Sequence, residues 1–244
     1  MSRPEIFHLL GWYPLRLDDV FKTMLLTMLL FLGPLFERVI VEGEWKHYMT
    51  GKPMQETLST WTGWRNLVAG PITEEVMFRS LITSLAILTP YTPKQTILIT
   101  PLYFGVAHIH HFYESRLTYP QIPVMGTLFT SLFQFTYTTL FGWYANFVFV
   151  RTGSLYSIIL IHSFCNWMGF PRLWGRVEPE VVLAPVQPVT EDTGRGPAYR
   201  PPYRENAPSI FWTVAYYFWL VAGVIGFKTN LWTLTASTNR LGAI

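Results

Sequence analysis

Three charged residues lie within one of the most apolar stretches of this chain, and they constrain its fold more than any other feature. Between Leu67 and Leu88 the sequence contains Glu74, Glu75 and Arg79. On membrane-insertion scales an ionised side chain at the bilayer centre costs roughly 2.5 to 3.5 kcal/mol, so such residues usually face a polar cavity or pair with one another. The sequence therefore predicts a polar site enclosed by apolar helices.

The composition is typical of a membrane protein. Half of the 244 residues are hydrophobic and only 14% are charged, whereas soluble domains usually carry about 25% charged residues. The net charge is only +3 and no dense run of Lys or Arg occurs, which argues against a nucleic-acid-binding surface. Cys165 is the single cysteine, so an intrachain disulfide framework is excluded.

About six long apolar segments recur along the chain, and they predict an all-α, polytopic membrane helical bundle forming one domain over residues 1–244. The segments lie at about 23–41, 67–89, 96–109, 125–150, 154–170 and 209–227. Polar loops are expected at about 42–66, 108–124 and 171–208, and the last is rich in proline. Pro71 is expected to open the second helix, which would place Glu74 and Glu75 near its N-terminal turn.

If the segments cross alternately, three polar clusters fall at a similar depth near one face. Glu74 lies near the start of the second segment, and His108 and His162 lie near the ends of the third and fifth. Glu75 and Arg79 are four residues apart, as are His162 and Asn166, so each pair can share a helical face. Carboxylate, imidazole and amide groups in one cavity are suited to hydrolysis by an activated water molecule.

The three clusters resemble the ordered motifs of a known family. Glu74-Glu75-x-x-x-Arg79, Phe104-x-x-x-His108 and His162-x-x-x-Asn166 are similar to the signature of the CAAX prenyl endopeptidases of the Ras-converting type. These enzymes belong to the ABI/CAAX superfamily of intramembrane glutamate proteases. The stretches 31–35 and 165–171 also resemble its eukaryotic branch, so the resemblance covers about residues 25–171.

The resemblance implies an enzyme that removes the C-terminal aaX tripeptide from prenylated CAAX proteins. Glu74 would activate water with help from His108, while His162 and Asn166 would stabilise the oxyanion. Glu75 and Arg79 would form a structural ion pair near the site, and Phe104 would have a supporting, packing role.

The family also implies a setting and a set of partners. The protein would be a multi-pass protein of the endoplasmic-reticulum membrane, with its active site toward the cytosol. Its partners would be farnesylated or geranylgeranylated CAAX proteins, such as Ras-like small GTPases, together with membrane lipids. No cofactor, metal or nucleic acid is implied. Family members generally have additional helices before the segment that is first here.

Three alternatives remain open. A non-catalytic membrane scaffold or a transporter could keep the same polar cavity for binding. A metalloprotease could draw its ligands from His108, His110, His111 and His162 with Glu74, although no H-E-x-x-H motif occurs and His110 and His111 are not spaced to share a helical face. A cysteine protease could use Cys165 with His162, although cysteines in apolar segments are usually inert.

Overall fold

The computed structural model describes residues 1–42, 45, 50–177 and 209–242, and the regular elements in this part are all helical. The prediction of an all-α bundle is therefore confirmed. The helices are α1 (Arg3–Leu9), α2 (Leu17–Leu30), α3 (Leu32–Phe36), α4 (Lys52–Leu58), α5 (residues 61–87), α6 (Pro93–Ala107), α7 (His110–Thr118), α8 (Val124–Thr152), α9 (Leu155–Met168) and α10 (Ile210–Leu234).

Helix α9 lies at the centre of the bundle, where it packs against α2, α5 and α8. The main core cluster joins α8 and α9 through fully buried apolar side chains. Its members are Ala145, Val148, Phe149, Leu155, Ile158 and Ile161. Helix α6 packs along α8 and α5, and α10 covers α2 and α3 on the other side. The three motif-bearing helices α5, α6 and α9 are thereby held together by α8.

The connection between α8 and α9 is a tight turn that requires glycine. Gly153 has a φ of 57°, a left-handed conformation that side chains disfavour, and its N–H donates to the Phe149 carbonyl at 2.7 Å. A Cβ atom at Gly153 would also collide with the Asn239 carbonyl. Asn239 in the C-terminal segment therefore packs against the turn between α8 and α9, where its Nδ2 donates to the Thr152 carbonyl at 3.2 Å.

Helix α5 begins earlier than expected and is not uniformly α-helical. Thr60 caps it by accepting a hydrogen bond from the Gly63 N–H at 3.0 Å. Residues 61–87 then form one continuous helix with π-helical stretches at Arg65–Ala69 and Val76–Thr83. Such wider turns are often found at functional sites, because they interrupt the regular hydrogen-bond ladder and reorient side chains.

The prediction that Pro71 opens this helix is wrong. Pro71 lies inside the continuous helix, two residues after the end of the π-helical stretch Arg65–Ala69. Because proline has no N–H, it removes one bond of the ladder, and the irregular turns before it accommodate that loss. Glu74 and Glu75 therefore lie in the middle of the helix, where the positive end of the helix dipole does not stabilise them.

Two predicted loops contain helices. Helix α7 lies within 108–124, and α4 and the start of α5 lie within 42–66. Helix α7 was missed because its polar sequence has no apolar run, although it includes good helix formers. The first apolar segment is also two elements: α2 and the stretch Leu32–Val41 meet at 79°, since Pro34 is tolerated in the first turn of α3 but would break a longer helix.

By length and composition, one described helix, α10, is apolar enough to cross a membrane, and the bent pair of α2 with Leu32–Val41 raises that number to two. The motif-bearing helices are not long and apolar enough to pass this test, for reasons that the sequence shows. Helix α5 carries Glu74, Glu75 and Arg79, and α9 is only 14 residues long. The arrangement of six spans, and the single domain over 1–244, therefore stay predictions.

The proline-rich segment predicted at 171–208 is described only as far as residue 177, and residues 178–208 lie outside the described residues. The described part is not helical and returns to α10. The Val177 N–H donates to Thr213 Oγ1 at 3.1 Å, and the Tyr216 hydroxyl donates to the Arg172 carbonyl at 3.0 Å. These bonds fasten residues 171–177 to the first turns of α10.

Candidate active site

Glu75, Arg79 and His162 form a buried polar centre between α5 and α9. Glu75 and Arg79 are 0% and 1% exposed. Arg79 Nη1 donates to Glu75 Oε1 at 2.9 Å, and His162 Nδ1 lies 2.6 Å from the same oxygen. Since an ionised carboxylate can only accept, Nδ1 of His162 carries the proton in this contact. Glu75 therefore pairs with Arg79 and also fixes the orientation of the His162 ring.

Two aromatic rings enclose the Arg79 guanidinium. Its central carbon lies 4.6 Å from the Phe104 ring centroid and 5.6 Å from that of Phe141. Such cation–π contacts stabilise a guanidinium that has lost its water. Phe104 also packs edge-on against His108, with centroids 4.7 Å apart, and against His162 at 6.1 Å. Phe104 thus contacts three of the predicted site residues.

Glu74 lies on the opposite side of the His162 ring from Glu75. Its Oε2 is 3.8 Å from His162 Nε2, and its side chain is 36% exposed. This separation is longer than a direct hydrogen bond and suits a water molecule bonded to both groups. The two adjacent glutamates therefore occupy different environments, one buried and paired and the other open to solvent.

His108 directly follows the last residue of α6, and its ring contacts both the backbone carbonyl and the ring of Phe104. Its Nδ1 lies 2.7 Å from the Phe104 carbonyl oxygen, so Nδ1 carries a proton and Nε2 is left for other partners. The ring is half-buried and interacts electrostatically with Glu74. The structure thus brings His108, Phe104, Glu74, Glu75 and His162 into one neighbourhood, as the sequence spacing required.

Asn166 occupies a more peripheral position, one helical turn beyond His162. It is exposed, and its Nδ2 donates to the Asn66 carbonyl at 2.9 Å. Asn66 belongs to the π-helical stretch Arg65–Ala69. In this structure the Asn166 amide nitrogen therefore joins α9 to α5.

A second buried polar network supports the centre and was missed from the sequence. Thr83 Oγ1 donates to Asn146 Oδ1 at 3.1 Å, and Asn146 Nδ2 donates to Thr100 Oγ1 and to the Thr96 carbonyl. These residues tie α5, α6 and α8 together one turn beyond Arg79. An asparagine within the apolar α8, and threonines four residues apart in α6, were the signals that could have identified the network.

His110, His111 and Glu114 form a separate cluster at the start of α7. The two imidazole centroids are only 3.9 Å apart, so the expectation that these histidines do not share a face is wrong. The reason is that His110 is the first residue of the helix and its Nδ1 turns back to the Ala107 carbonyl at 2.6 Å. His111 Nδ1 bonds Glu114 Oε2 at 2.8 Å, which holds the pKa of the Glu114 carboxyl below its usual range.

This geometry does not bring together the residues that the metalloprotease and cysteine protease hypotheses require. His162 belongs to the buried centre and Glu74 lies beside it, whereas His110 and His111 group with Glu114 at the surface. Cys165 packs against both apolar core clusters, and the His162 ring nitrogens face the two glutamates. A nucleophilic Cys165 paired with His162 is therefore not the arrangement observed.

Comparison with known proteins agrees with these motifs. Residues 56–168 match the family model described as "Type II CAAX prenyl endopeptidase Rce1-like". The chain is 40% identical over 160 residues to the "Probable CAAX prenyl protease 2" of Schizosaccharomyces pombe, which covers 66% of this chain and 58% of the relative. It is 38% identical over 173 residues to "CAAX prenyl protease 2" of Homo sapiens, covering 67% and 52%.

The match to "CAAX prenyl protease 2" of Saccharomyces cerevisiae is longer, at 33% identity over 230 residues, which is 90% of this chain and 66% of the relative. The chain thus spans between about half and two thirds of the length of these three relatives. No solved structure matches the chain. The matched region includes α5, α6 and α9 with all three motifs, and the chain belongs to the Rce1-like family of type II CAAX prenyl endopeptidases.

Proposed function

We propose that this protein is an endopeptidase that removes the aaX tripeptide from prenylated CAAX proteins, using a water molecule activated by Glu74. The observation that carries the proposal is the His162 ring, which lies between the buried Glu75 and the partly exposed Glu74. Such an arrangement places a solvent-accessible carboxylate beside an oriented imidazole, as water-dependent hydrolysis requires. The names of the relatives support CAAX processing as the reaction.

Glu74 is proposed as the general base. It takes a proton from water while the water oxygen attacks the carbonyl carbon of the scissile bond, and the tetrahedral intermediate then collapses by breaking its C–N bond. The proton held by Glu74 passes to the leaving amine of the tripeptide. Glu74 suits this role better than Glu75, because its side chain is reachable by water whereas Glu75 is enclosed and bonded to Arg79.

His108 is proposed to orient the water. Its Nδ1 is occupied by the Phe104 carbonyl, so its Nε2 is the nitrogen available to accept a hydrogen bond from the nucleophile. The ring cannot swing freely, because Phe104 packs against it at 4.7 Å. A rigidly held acceptor beside the base reduces the entropy lost on reaching the reactive geometry.

His162 and Asn166 are proposed as donors to the developing oxyanion. Since Nδ1 of His162 is bonded to Glu75, the donor must be Nε2, and this requires a ring protonated on both nitrogens at that step. Asn166 must release the Asn66 carbonyl, or donate through its second amide hydrogen. Glu75 acts through His162 as a positioning residue, in addition to its proposed structural pairing with Arg79.

The proposal extends to the setting of the reaction. We infer that the protein is a multi-pass component of the endoplasmic-reticulum membrane with its site toward the cytosol, where prenylated CAAX proteins such as Ras-like small GTPases are found. A farnesyl or geranylgeranyl chain is apolar, so it would enter from the lipid side of the bundle. Helix α10, whose exposed surface is largely apolar, supports contact with membrane lipids.

The test is cleavage of a farnesylated CAAX peptide by the purified full chain in lipid vesicles, with and without a strong metal chelator. Wild type is expected to release the aaX tripeptide in both conditions, and Glu74→Gln to lower kcat by at least about 100-fold, because general-base contributions are of this order. Glu5→Gln is the matched control, since Glu5 is an exposed glutamate at the start of α1 and should leave cleavage unchanged.

The outcomes separate the alternatives. A folded wild type that cleaves no prenylated peptide would favour the non-catalytic scaffold or transporter, which could tolerate Glu74→Gln. Loss of cleavage on chelation, restored by added zinc, would favour the metalloprotease. Full activity in Glu74→Gln would remove Glu74 from the mechanism.

A further inference from the structure

We propose that His110, His111 and Glu114 form a binding site for one Zn²⁺ ion, or a similar borderline transition metal, at the surface end of α7 and apart from the catalytic centre. Among the described residues, these three side chains form a group whose potential ligand atoms all lie within 4.8 Å of one another. Two imidazoles and one carboxylate are a donor set that Zn²⁺ uses widely.

The local backbone explains why the three side chains converge. His110 and Glu114 are four residues apart and His111 and Glu114 three apart, so both histidines can reach the glutamate across one helical turn. His110 Nδ1 is engaged by the Ala107 carbonyl, which leaves Nε2 as its metal ligand. The bond between His111 Nδ1 and Glu114 Oε2 at 2.8 Å shows that these two groups already meet.

The adjustment needed to hold an ion is small. In a tetrahedral site with metal–ligand bonds of 2.0 to 2.2 Å, neighbouring ligand atoms are about 3.4 Å apart. The present spread of up to 4.8 Å can close by side-chain rotation alone, since the His111 and Glu114 side chains are 39% and 65% exposed. The fourth position would be taken by water or by an oxygen of a bound ligand.

The surroundings provide access for a hydrated ion. His111 and Glu114 line a polar cleft of about 360 Å³ between α7 and α8. Its other walls include Ser115, Thr127, Ser131 and Gln134. Hydroxyl and amide oxygens of this kind can hydrogen-bond the water molecules that an incoming ion keeps or releases, so the ion need not cross an apolar surface.

The site lies beside the catalytic region but shares no ligand with it. The His111 ring is 6.0 Å from the His108 ring, and the His111 N–H donates to the His108 carbonyl at 3.2 Å. Zn²⁺ at the cluster would therefore fasten the junction at which α6 ends and α7 begins. Bound metal should raise the temperature of thermal unfolding, because a ligand that binds only the folded state stabilises it.

The experiment is direct titration of the metal-free full chain with ZnCl₂ by calorimetry and by competition with a chromophoric chelator. Wild type is expected to bind one Zn²⁺ saturably and to unfold at a higher temperature in its presence. His111→Ala and Glu114→Gln should each weaken binding at least about tenfold, because even changes behind a metal ligand cost this much. His8→Ala is the matched histidine control and should bind as wild type does.

Two results would overturn the proposal: wild type that binds no Zn²⁺ saturably, or affinities that are unchanged in both cluster variants. Matching unfolding temperatures of the metal-free variants establish that any loss of binding is local, and Glu114→Gln repeats the test without removing a ring. Since no substrate is present, a catalytically inactive protein that binds zinc would contradict the proposed function and still support the metal site.

Discussion

The buried centre around Arg79 and the exposed charged cluster at the start of α2 are built from ion pairs of nearly equal length. Arg79 Nη1 lies 2.9 Å from Glu75, and in the exposed cluster Arg16 and Lys22 lie 3.0 and 3.1 Å from Asp18. Their environments differ completely: the buried side chains are 0–1% exposed, the others 37–46%. Distance alone therefore says little about what an ion pair contributes.

Water makes the difference between the two regions. At the surface each charge keeps most of its hydration, so pairing adds little and salt screens it. In the buried centre the charges have lost their water, and three of their polar atoms, Glu75 Oε2 and Arg79 Nε and Nη2, have no hydrogen-bond partner among the described residues. Burying these charges costs free energy of folding. The centre is therefore explained by a requirement of the site and not by a gain in stability.

The largest effect is expected from Arg79→Ala. Removing the guanidinium leaves Glu75 buried without its counter-charge and empties the space between Phe104 and Phe141. Breaking a buried pair by deleting one partner typically costs about 3 to 5 kcal/mol. We expect a marked fall in the yield of folded protein and in its unfolding temperature, measured in detergent for wild type and variant.

Arg16→Ala is the matched control, because it removes from the exposed cluster an arginine whose ion-pair distance is 3.0 Å, close to the 2.9 Å of Arg79. Its yield and unfolding temperature should stay close to those of wild type. Equal losses in the two variants would mean that burial does not distinguish the two regions.

A smaller effect on stability, but a large one on rate, is expected from Glu75→Gln. The amide oxygen can take the place of Oε1, which accepts from both Arg79 and His162, so the fold should persist. In the opposite orientation the amide nitrogen donates to Nδ1 of His162, which would move the ring proton to Nε2. In either orientation the negative charge beside the doubly protonated ring of the proposed oxyanion step is lost, so we expect kcat for the farnesylated peptide to fall about 100-fold or more with little change in KM.

The ring nitrogen of His162 that carries the proton distinguishes a positioning role of Glu75 from a purely structural one. Nitrogen NMR of labelled His162 identifies that nitrogen directly. A variant with wild-type kcat and an unchanged tautomer would remove Glu75 from the positioning of His162. Wild-type tautomer with reduced kcat would assign the loss to the missing charge.

The contents of the buried centre were largely foreseeable, because charged residues in apolar helices must converge on shared partners. Because Glu75 and Arg79 are four residues apart, a contact between them on one helix face is predicted. If successive apolar segments run in opposite directions, His108 and His162 are predicted to lie at the same depth as Glu74. The additional bond from His162 to Glu75 was not foreseeable, since it joins residues 87 positions apart and depends on how α5 and α9 are rotated against each other.

The fold was predictable where it follows from apolar runs and not where it follows from backbone irregularity. Hydropathy finds α8 and α9 to within a few residues. It misses α7, whose residues are polar, and it misses the π-helical turns that carry α5 through Pro71. The engagement of Asn166 by the Asn66 carbonyl depends on one of those turns, so the sequence alone assigns Asn166 only to a helix face.

The smallest effect is expected from Asp18→Asn in the exposed cluster. The amide oxygen can still accept from Arg16, and the lost charge was already screened by solvent and salt, so the unfolding temperature should barely change. Its neighbour gives a matched contrast: Asp19 is 1% exposed and accepts from Ser237 Oγ at 2.6 Å. Asp19→Asn should therefore lower the unfolding temperature more, although it removes the same charge one residue away. If Asp18→Asn were the more damaging of the two, pairing at the surface would matter more than burial, and the contrast drawn between the exposed cluster and the Arg79 centre would fail.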